Sequence, residues 1–422
     1  MQNTAIEPTL SATPENFPVV LVPRIDLHIF CENQQTGQLL QTAVADRRMS
    51  RAHVSIQLGG IDAAIQVYQT QPTPNVLVVE THANRDQAMA ELGRLADVCQ
   101  ANTKVVVIGH VNDVLLYREL IKAGISEYLV APVAPVNFID SIAGLYNDPK
   151  AAPLGRIVSF VGAKGGVGSS TLAHNIAWFA SQRQNIDTII TDLDLAFGTA
   201  SLNFNQDGSG GIIEALNQPD RVDSTLVERL MTKLADKLSL LTGPGTVDRD
   251  FTIEGHAVES ILNVVRSSAP LVIVDVPNMW APWIKHTLLN SDEIIITATP
   301  ELPSLRNAKN LMDLLKQARA NDKPPRLILN QVGIPKRPEI APADFAKALG
   351  VQLLAVIPHD PQNFGLAQGN GQMLFEVAPK AKATEIIGGL VGTLLGQQKL
   401  DATSPAKKGG FLSNLSMLKK KK

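Results

Sequence analysis

The sequence has little cysteine, little net charge and no long apolar run. Its two cysteines, Cys31 and Cys99, are too few for a disulfide framework or a cysteine-ligated metal cluster, and we expect both to be small core residues. Basic residues number 38 against 40 acidic residues, so the surface is not coated in charge that attracts nucleic acid. No apolar run approaches the roughly 18 residues of a membrane span, and no signal peptide precedes the first strand pattern. These absences predict a cytoplasmic protein with no specific nucleic-acid partner.

The length of 422 residues predicts more than one domain. Residues 1–22 are polar and interrupted by proline, so we expect a flexible lead. Residues 23–148 alternate strand and helix patterns five times, which predicts a small doubly wound α/β domain because parallel strands need helical crossovers. Residues 149–155 have the composition of a linker. A second α/β series spans 156–398, with strands apolar on both faces, which suit a covered parallel sheet. The polar stretch 399–422 is then a C-terminal tail.

A glycine-rich turn, GAKGGVGSST, follows the first strand pattern of the second series and precedes a helical pattern. In such a turn the backbone N–H groups and the helix N-terminus cradle phosphate. Glycine is needed there because side chains would keep the backbone away from the phosphate. An ordinary strand-to-helix turn is the alternative, and the further site elements described next count against it. The predicted phosphate-binding residues are Lys164, Gly165, Gly166, Val167, Gly168, Ser169, Ser170 and Thr171.

Acidic and polar residues follow the later strand patterns in the order that a nucleotide site requires. Asp192 and Asp194 end one pattern, where residues two apart on a strand point the same way. Beside a triphosphate, one carboxylate can hold Mg²⁺ and the other can orient an attacking water. Asp275 ends an apolar strand, and Asn330 and Pro358 sit at late strand ends, where an open α/β sheet binds its ligand. Together these residues predict a site for a nucleoside triphosphate and Mg²⁺.

The motif KGGVGSST, with a lysine at its start, resembles the deviant Walker A motif of MinD, ParA and related dimeric ATPases. The resemblance implies that Lys164 reaches across a homodimer to the partner's phosphates and acts in catalysis. It also implies that Ser170 supplies the Mg²⁺-binding hydroxyl and that Asp192 and Asp194 are the two switch carboxylates, Asp192 holding the metal and Asp194 acting in catalysis. The remaining positions that match the family are Asp275 as the Walker B carboxylate and Asn330 and Pro358 beside the adenine.

Ser169 departs from the family pattern, in which most members have a lysine that contacts the β- and γ-phosphates. A serine hydroxyl can donate one hydrogen bond but brings no charge. Losing a charge-assisted contact costs about 1.5–3 kcal/mol of binding free energy. If the contact strengthens in the transition state, its loss also slows turnover. We therefore expect ATP binding to persist and hydrolysis to be slow or absent.

Long segments of the chain also resemble the CpaE/TadZ branch of this family, which assists pilus assembly. They include GAKGGVGSSTLAHNIAW, TDLDLAFGTASLNF and LNQVGIPKRPEI. That branch joins a flavodoxin-like, atypical receiver domain to the ATPase domain and also tends to lack lysine at the Ser169 position. The resemblance implies a homodimeric scaffold for a pilus or secretion machine, peripheral at the inner face of the cytoplasmic membrane and polar in the cell.

The first domain can be compared with a working receiver position by position. Glu32 follows strand one and Glu80 ends strand three, where a receiver has acidic residues and its phosphate-accepting Asp. Gly109 replaces the hydroxyl after strand four, and Ala131 replaces the lysine after strand five. We interpret Glu32 and Glu80 as a pseudo-phosphorylation site in a docking or localisation module. An inert, stabilising domain is the alternative.

The tail has an apolar stripe framed by lysines. Phe411, Leu412, Leu415 and Leu418 would share one face of a helix, and lysines flank them within residues 407–422. Such a segment is typical of an interfacial anchor on anionic lipid, and dimerisation would add avidity. A solvated tail without a ligand explains the composition equally well, so both interpretations stay open.

Three functions remain to be compared, and a fourth is set aside. The favoured one is an ATP-controlled, dimerising scaffold. A cycling ATPase that partitions DNA or positions a division site predicts robust turnover, against which Ser169 counts. A phosphate-accepting signalling protein is disfavoured by Gly109 and Ala131. Electron transfer of the nitrogenase-reductase kind would need cluster-binding cysteines, which the second domain lacks.

Overall fold

The computed structural model describes residues 22, 25–100, 102–146, 154–207, 210–248, 251–319 and 321–394. Parts of three predicted segments lie outside the described residues: the tail 399–422, the lead apart from Val22, and residues 149–153 of the linker. Val22 is buried, and its N–H donates to the Arg48 carbonyl at 3.0 Å.

The first sheet has five parallel strands in the order β2-β1-β3-β4-β5, which is the doubly wound order of flavodoxin-like folds. All five strands predicted from the sequence are present. Their bounds are β1 Asp26–Cys31, β2 His53–Leu58, β3 Val76–Thr81, β4 Lys104–Gly109 and β5 Glu127–Val130.

Five helices cover the first sheet on both faces. Helices α1 and α5 pack on one face and α2, α3 and α4 on the other. Their bounds are α1 Gln34–Val44, α2 Gly60–Tyr68, α3 Arg85–Ala96, α4 Val114–Lys122 and α5 Pro135–Gly144. As predicted, Cys31 lies in the core, whereas Cys99 is only partly buried.

The second sheet has eight strands in the order β13-β12-β11-β6-β10-β7-β9-β8. Seven are parallel and match the predicted series, while the short β8 pairs antiparallel with β9 at the sheet edge. The bounds are β6 Arg156–Gly162, β7 Thr188–Asp192, β8 Thr232–Ala235, β9 Leu238–Thr242, β10 Leu271–Val276, β11 Glu293–Ala298, β12 Arg326–Val332 and β13 Leu353–Pro358. The fold class is therefore α/β with two doubly wound sheets, the second carrying one antiparallel edge strand.

Helices cover the second sheet on both faces as well. Helix α6 packs with α14, α15 and α16 on one face, and α8 to α13 contribute to the core on the other. The bounds are α6 Ser169–Gln182, α7 Ala200–Asn203, α8 Ile212–Asn217, α9 Ser224–Leu230, α10 Gly255–Ser268, α11 Pro282–Leu289, α12 Leu302–Ala318, α13 Pro342–Leu349, α14 Pro361–Asn370, α15 Leu374–Val377 and α16 Lys382–Leu394. Within the described part of the chain, no helix is long and apolar enough to cross a membrane.

Ion pairs join the two sheets through the segment that follows α1. Arg47 Nε donates to Asp322 Oδ2 at 2.7 Å, and both side chains are buried. Asn321 donates to Asp46 at 3.0 Å, and Arg51 pairs with Glu259 on α10. A buried pair is costly to break because the remaining charge is left without a partner. Asn321 and Asp322 closely precede β12, so these two contacts lie at the amino edge of the second sheet.

Candidate nucleotide-binding site

The glycine-rich turn connects β6 to α6 at the carboxyl edge of the second sheet. Gly166 and Gly168 have φ angles of 78° and 85°, in the left-handed region that glycine adopts without strain. A Cβ atom at Gly168 would also lie 2.6 Å from Asn330 Nδ2. The turn therefore requires glycine at this position for both conformational and steric reasons.

Four amide side chains hold the turn by its carbonyl groups. Asn278, just beyond the carboxyl end of β10, donates to the Gly162 carbonyl at 2.8 Å. Asn307 on α12 donates to the Ala163 carbonyl, also at 2.8 Å. The other two bonds come from β12: Asn330 donates to Val167 at 2.8 Å and Gln331 to Gly166 at 2.9 Å. Each bond fixes the orientation of one peptide plane. The first N–H groups of α6, which have no helical partners, are then available to an anion.

Asn330, for which the family resemblance implied an adenine contact, thus lies directly beneath the turn. The sequence analysis missed the other three amides. Asn278 and Gln331 could have been found, because both stand at or just beyond the carboxyl ends of predicted strands, where ligands bind. Asn307 lies within a helix and gives no such signal.

Ser169 is the first residue of α6 and is only 9% exposed. Its hydroxyl has no hydrogen-bond partner among the described residues. A buried hydroxyl without a partner is costly, so such a group commonly marks a ligand position. Ser170 and Thr171, the next two residues of the helix, are partly buried at the same edge.

Asp192 and Asp275 lie side by side, because their strands β7 and β10 pair in parallel with these two residues in register. Both side chains are buried. Burial, followed by the charge of Asp275, raises the pKa of Asp192 to about 7. Two adjacent buried carboxylates fit a divalent cation, which would relieve their repulsion through the oxygen ligands that Mg²⁺ prefers.

Asp194 is not on the strand with Asp192, as the sequence analysis had assumed, because β7 ends at Asp192. The chain turns after Asp192, and the Asp194 N–H donates to Asp192 Oδ1 at 3.0 Å within this turn. The Asp194 carboxylate then accepts a bond from the Phe197 N–H at 3.0 Å. Asp194 remains at the carboxyl edge of the sheet and is partly exposed.

His174 is a site residue that the sequence analysis missed. It lies on α6 and is fully buried, with Nε2 3.5 Å from Asp275 Oδ2. Since the Asn203 amide nitrogen donates to Nδ1 at 2.9 Å, the proton of the neutral ring is on Nε2 and faces Asp275. Nothing in its helical context distinguished this histidine from a core residue.

Lys164 is held within its own chain. Its Nζ lies 2.7 Å from Glu301 Oε2, just before α12, and Glu301 also pairs with Arg337 at 3.0 Å. The hydrogen bond from Lys164 is the main reason that the pKa of Glu301 is lowered. Lys164 must leave Glu301 if it is to contact a partner's phosphates.

Pro358 is the last residue of β13 and pairs with Val332, two residues after Asn330. It therefore lies at the same edge as the turn.

Exposed apolar side chains surround the carboxyl edge of the second sheet in the segments after β7, β10 and β11. They are Phe197, Leu202, Met279, Trp280 and Leu302, each more than half exposed. Met279 and Trp280 also line a cavity of about 450 Å³ beside the turn.

The predicted pseudo-phosphorylation site lies at the carboxyl edge of the first sheet. Glu80 is fully buried, and its oxygens accept bonds from Thr36 Oγ1 at 2.6 Å, His110 Nε2 at 3.0 Å and the N–H groups of Glu32 and Asn33 at 2.8 and 3.1 Å. Burial alone would raise the pKa of Glu80, but these bonds outweigh it and the pKa is lowered. The residue is therefore a fixed carboxylate anion.

The first sheet also explains the missing hydroxyl at Gly109. A Cβ atom at this position would overlap the phenol ring of Tyr128 on β5. Thr36 on α1 brings a hydroxyl to Glu80 instead, from an element that the sequence analysis did not associate with this edge. The Glu32 side chain turns to His82, so Glu32 and Glu80 meet through the Glu32 backbone only.

The raised pKa of Asp192 predicts a pH dependence in the nucleotide-free protein. A carboxyl whose pKa is higher when folded stabilises the fold below its unfolded pKa and loses that contribution as the pH rises through the folded pKa. Between about pH 4 and pH 7, wild type should therefore lose stability relative to Asp192→Asn. The total is on the order of 4 kcal/mol for a shift of this size, measured by denaturant unfolding at each pH.

Asp236→Asn is the matched control, because the Asp236 side chain is 90% exposed. Its stability should run parallel to that of wild type across the whole pH range. If Asp192→Asn also runs parallel to wild type, the Asp192 carboxyl is not destabilised by burial beside Asp275.

Comparison with known proteins supports both the fold and the family. No protein-family model matches the chain. The pilus assembly protein CpaE from Caulobacter crescentus is 46% identical over 31% of this chain and 98% of its own, with a TM-score of 0.30. A ParA family ATPase from Chlorobium tepidum is 28% identical over 56% of this chain and 98% of its own, with a TM-score of 0.51.

A curated relative extends this comparison. The septum site-determining protein MinD of Escherichia coli is 24% identical over 274 residues, which are 62% of this chain and 99% of MinD. The similarity to the ParA family ATPase supports the α/β fold.

Proposed function

Because the chain belongs to the CpaE-type branch of the MinD/ParA family, we propose that it is an ATP-binding, dimerising scaffold for pilus assembly or a related secretion machine. One observation carries the proposal. The turn, its amide supports and its paired carboxylates are all present, yet Ser169 stands where most relatives have a phosphate-binding lysine. This combination favours holding a nucleotide over consuming it.

ATP and Mg²⁺ fit the residues at this edge. The N–H groups at the start of α6 would bind the phosphates, and Ser170 and Asp192 would hold the metal beside Asp275. Mg²⁺ neutralises charge on the phosphates when bound. By the family resemblance, Asn330 and Pro358 would lie beside the adenine. Asp194, partly exposed beside Asp192, is positioned to orient a water molecule.

Slow or absent hydrolysis follows from Ser169. The lysine it replaces would supply a charge-assisted hydrogen bond of about 1.5–3 kcal/mol, a tenfold to hundredfold factor in an equilibrium constant. If the bond strengthens as charge develops in the transition state, its loss lowers turnover as well as affinity. The fully buried His174 faces Asp275 and does not replace that charge at the phosphates.

Restoring the lysine tests this reasoning. Ser169→Lys should tighten Mg·ATP binding by roughly tenfold to a hundredfold and increase phosphate release, because a cation returns to the phosphate position. Calorimetric titration gives the affinity, and a phosphate-release assay gives the turnover.

Gln182→Lys is the matched control, since it adds the same charge at the exposed far end of the same helix. It should change neither quantity. If Ser169→Lys is no better than Gln182→Lys, the serine is not what limits binding and hydrolysis.

A homodimer is supported by the exposed apolar residues around the nucleotide edge and by Lys164. An exposed apolar patch on a protein surface is commonly an interface. Phe197, Met279, Trp280 and Leu302 surround the turn, so a second copy docked there would cover both their side chains and the nucleotide. Lys164 would exchange Glu301 for the partner's phosphates, which couples dimerisation to ATP.

Lys164→Ala should abolish dimerisation driven by Mg·ATP while leaving the fold intact, because the residue that crosses the interface is removed. Sedimentation velocity with and without Mg·ATP measures the change. Lys309→Ala, which removes an exposed lysine paired with Asp313 on α12, should dimerise as wild type does. ATP-dependent dimers that persist in Lys164→Ala would overturn the cross-dimer role.

The first domain would dock or localise the scaffold without accepting phosphate. Glu80 already engages the donors at its edge, and Gly109 and Ala131 lack the hydroxyl and the cation of a working receiver. We also propose that the lysine-flanked segment 407–422 binds anionic lipid, which would place the protein at the inner face of the cytoplasmic membrane near its pilus or secretion partners.

A cycling ATPase that partitions DNA or positions a division site is the second candidate. The similarity to MinD over 99% of that protein favours it. It requires steady turnover that a partner stimulates, whereas the scaffold requires bound nucleotide with little turnover. Ser169 favours the scaffold.

A further inference from the structure

Two carboxylates and two histidines meet at the carboxyl edge of the first sheet, outside the nucleotide site. Glu32 follows β1, Glu80 lies in β3 with His82 just beyond it, and His110 follows β4. These strands are neighbours, and Thr81 pairs with Gly109 in register. The two histidines therefore leave adjacent parallel strands side by side.

The distances bring the ligand atoms of this cluster together. Glu80 Oε1 lies 3.0 Å from His110 Nε2, and the two imidazole rings stack with centroids 3.6 Å apart. One ligand atom each from Glu80, His82 and His110 lie within 4.8 Å of one another. Tetrahedral zinc, with bonds of about 2.0–2.2 Å, places its ligand atoms roughly 3.4 Å apart. Small side-chain rotations would close the cluster around an ion.

The side chains can make those rotations. His82 is 46% exposed and His110 is 31% exposed, so both rings can tilt out of the parallel stack. Glu80 is buried and fixed by its other hydrogen bonds, which leaves it as the rigid member of the cluster. An ion would take the place of the contact between Glu80 and His110.

Glu32 supplies a feature that metal-binding histidines usually have. Its Oε2 lies 2.6 Å from His82 Nδ1, and a carboxylate bonded to one ring nitrogen orients the other nitrogen toward a metal. His82 Nε2 is thereby left as the coordinating atom. His110 also lines a cavity of about 280 Å³ next to the cluster, which gives room for a water molecule or an exchangeable ligand.

The donor set determines the class of metal. Imidazole nitrogen with carboxylate oxygen suits zinc, cobalt or nickel, whereas Mg²⁺ prefers a shell of oxygen ligands. We propose that Glu80, His82 and His110 bind one divalent transition-metal ion, with Glu32 orienting His82. The inference does not depend on the proposed nucleotide function, because the two sites belong to different sheets.

The test uses the full-length, nucleotide-free protein with Mg²⁺ in excess to occupy the oxygen-rich site at Asp192 and Asp275. Zn²⁺ and Co²⁺ are titrated against a chromophoric chelator. Wild type should bind one equivalent. His82→Asn and His110→Asn should each weaken binding by more than about a hundredfold, and Glu32→Gln by about 10–100-fold, as for the loss of an orienting carboxylate.

His53→Asn is the matched control, because His53 is an exposed histidine at the amino end of β2 in the same sheet. It should bind metal as wild type does, and circular dichroism checks that every variant is folded. X-ray absorption of the zinc-loaded wild type should show two imidazole ligands, which tests the site without any substitution.

Three outcomes would overturn the proposal: no metal bound by wild type, binding unchanged in both His82→Asn and His110→Asn, or a spectrum without imidazole ligands. Mg·ATP affinity should be the same in His82→Asn as in wild type. A failure of nucleotide binding can therefore be told apart from a failure of the metal site.

Discussion

The nucleotide site depends on two buried carboxylates, Asp192 and Asp275, which lie in register on neighbouring strands. Burial, followed by the charge of Asp275, raises the pKa of Asp192, so the two carboxylates cannot both carry charge at low cost without a cation. The neighbouring residues bring no permanent charge, because Ser169 stands where most members of the family have a lysine and His174 accepts a hydrogen bond from Asn203 through Nδ1. We therefore propose that charge balance at this edge depends on a bound metal ion and, in a dimer, on Lys164. In the proposed function, a site built in this way would bind its nucleotide together with a metal ion.

At the carboxyl edge of the first sheet, a buried carboxylate is stabilised as an anion by hydrogen bonds from neighbouring groups. Glu80 is as deeply buried as Asp192, but it accepts hydrogen bonds from two side chains and two backbone N–H groups, and its pKa is lowered. A carboxylate satisfied by fixed donors needs no phosphorylation to carry charge. This difference supports the proposed division of roles, in which the first sheet belongs to a permanent docking module and the second to a nucleotide-dependent switch. The buried pair of Arg47 and Asp322 holds the two together.

The parallel strands and the residues at their ends could be predicted from sequence, because apolar runs and the glycine-rich turn are local signals. They predicted twelve of the thirteen strands and the positions of Asp192, Asp275 and Asn330 at one edge. Strand β8 was missed because Thr232–Ala235 is short and has no distinct alternation. His174, Asn307 and Thr36 were missed because each lies in a helix, where only tertiary packing brings its side chain to a strand end. Asp194 was misplaced because a hydrogen bond to Asp192 ends the strand early.

The most direct test of the central claim is a titration of wild-type protein with Mg·ATP that records heat and phosphate release in the same samples. The account predicts saturable binding with negligible phosphate release, since the turn, its amide supports and the metal-binding carboxylates are present while the lysine is not. Steady phosphate release would contradict the scaffold and favour a cycling ATPase. The absence of any binding heat, with no displacement of a fluorescent ATP analogue, would contradict the nucleotide site itself.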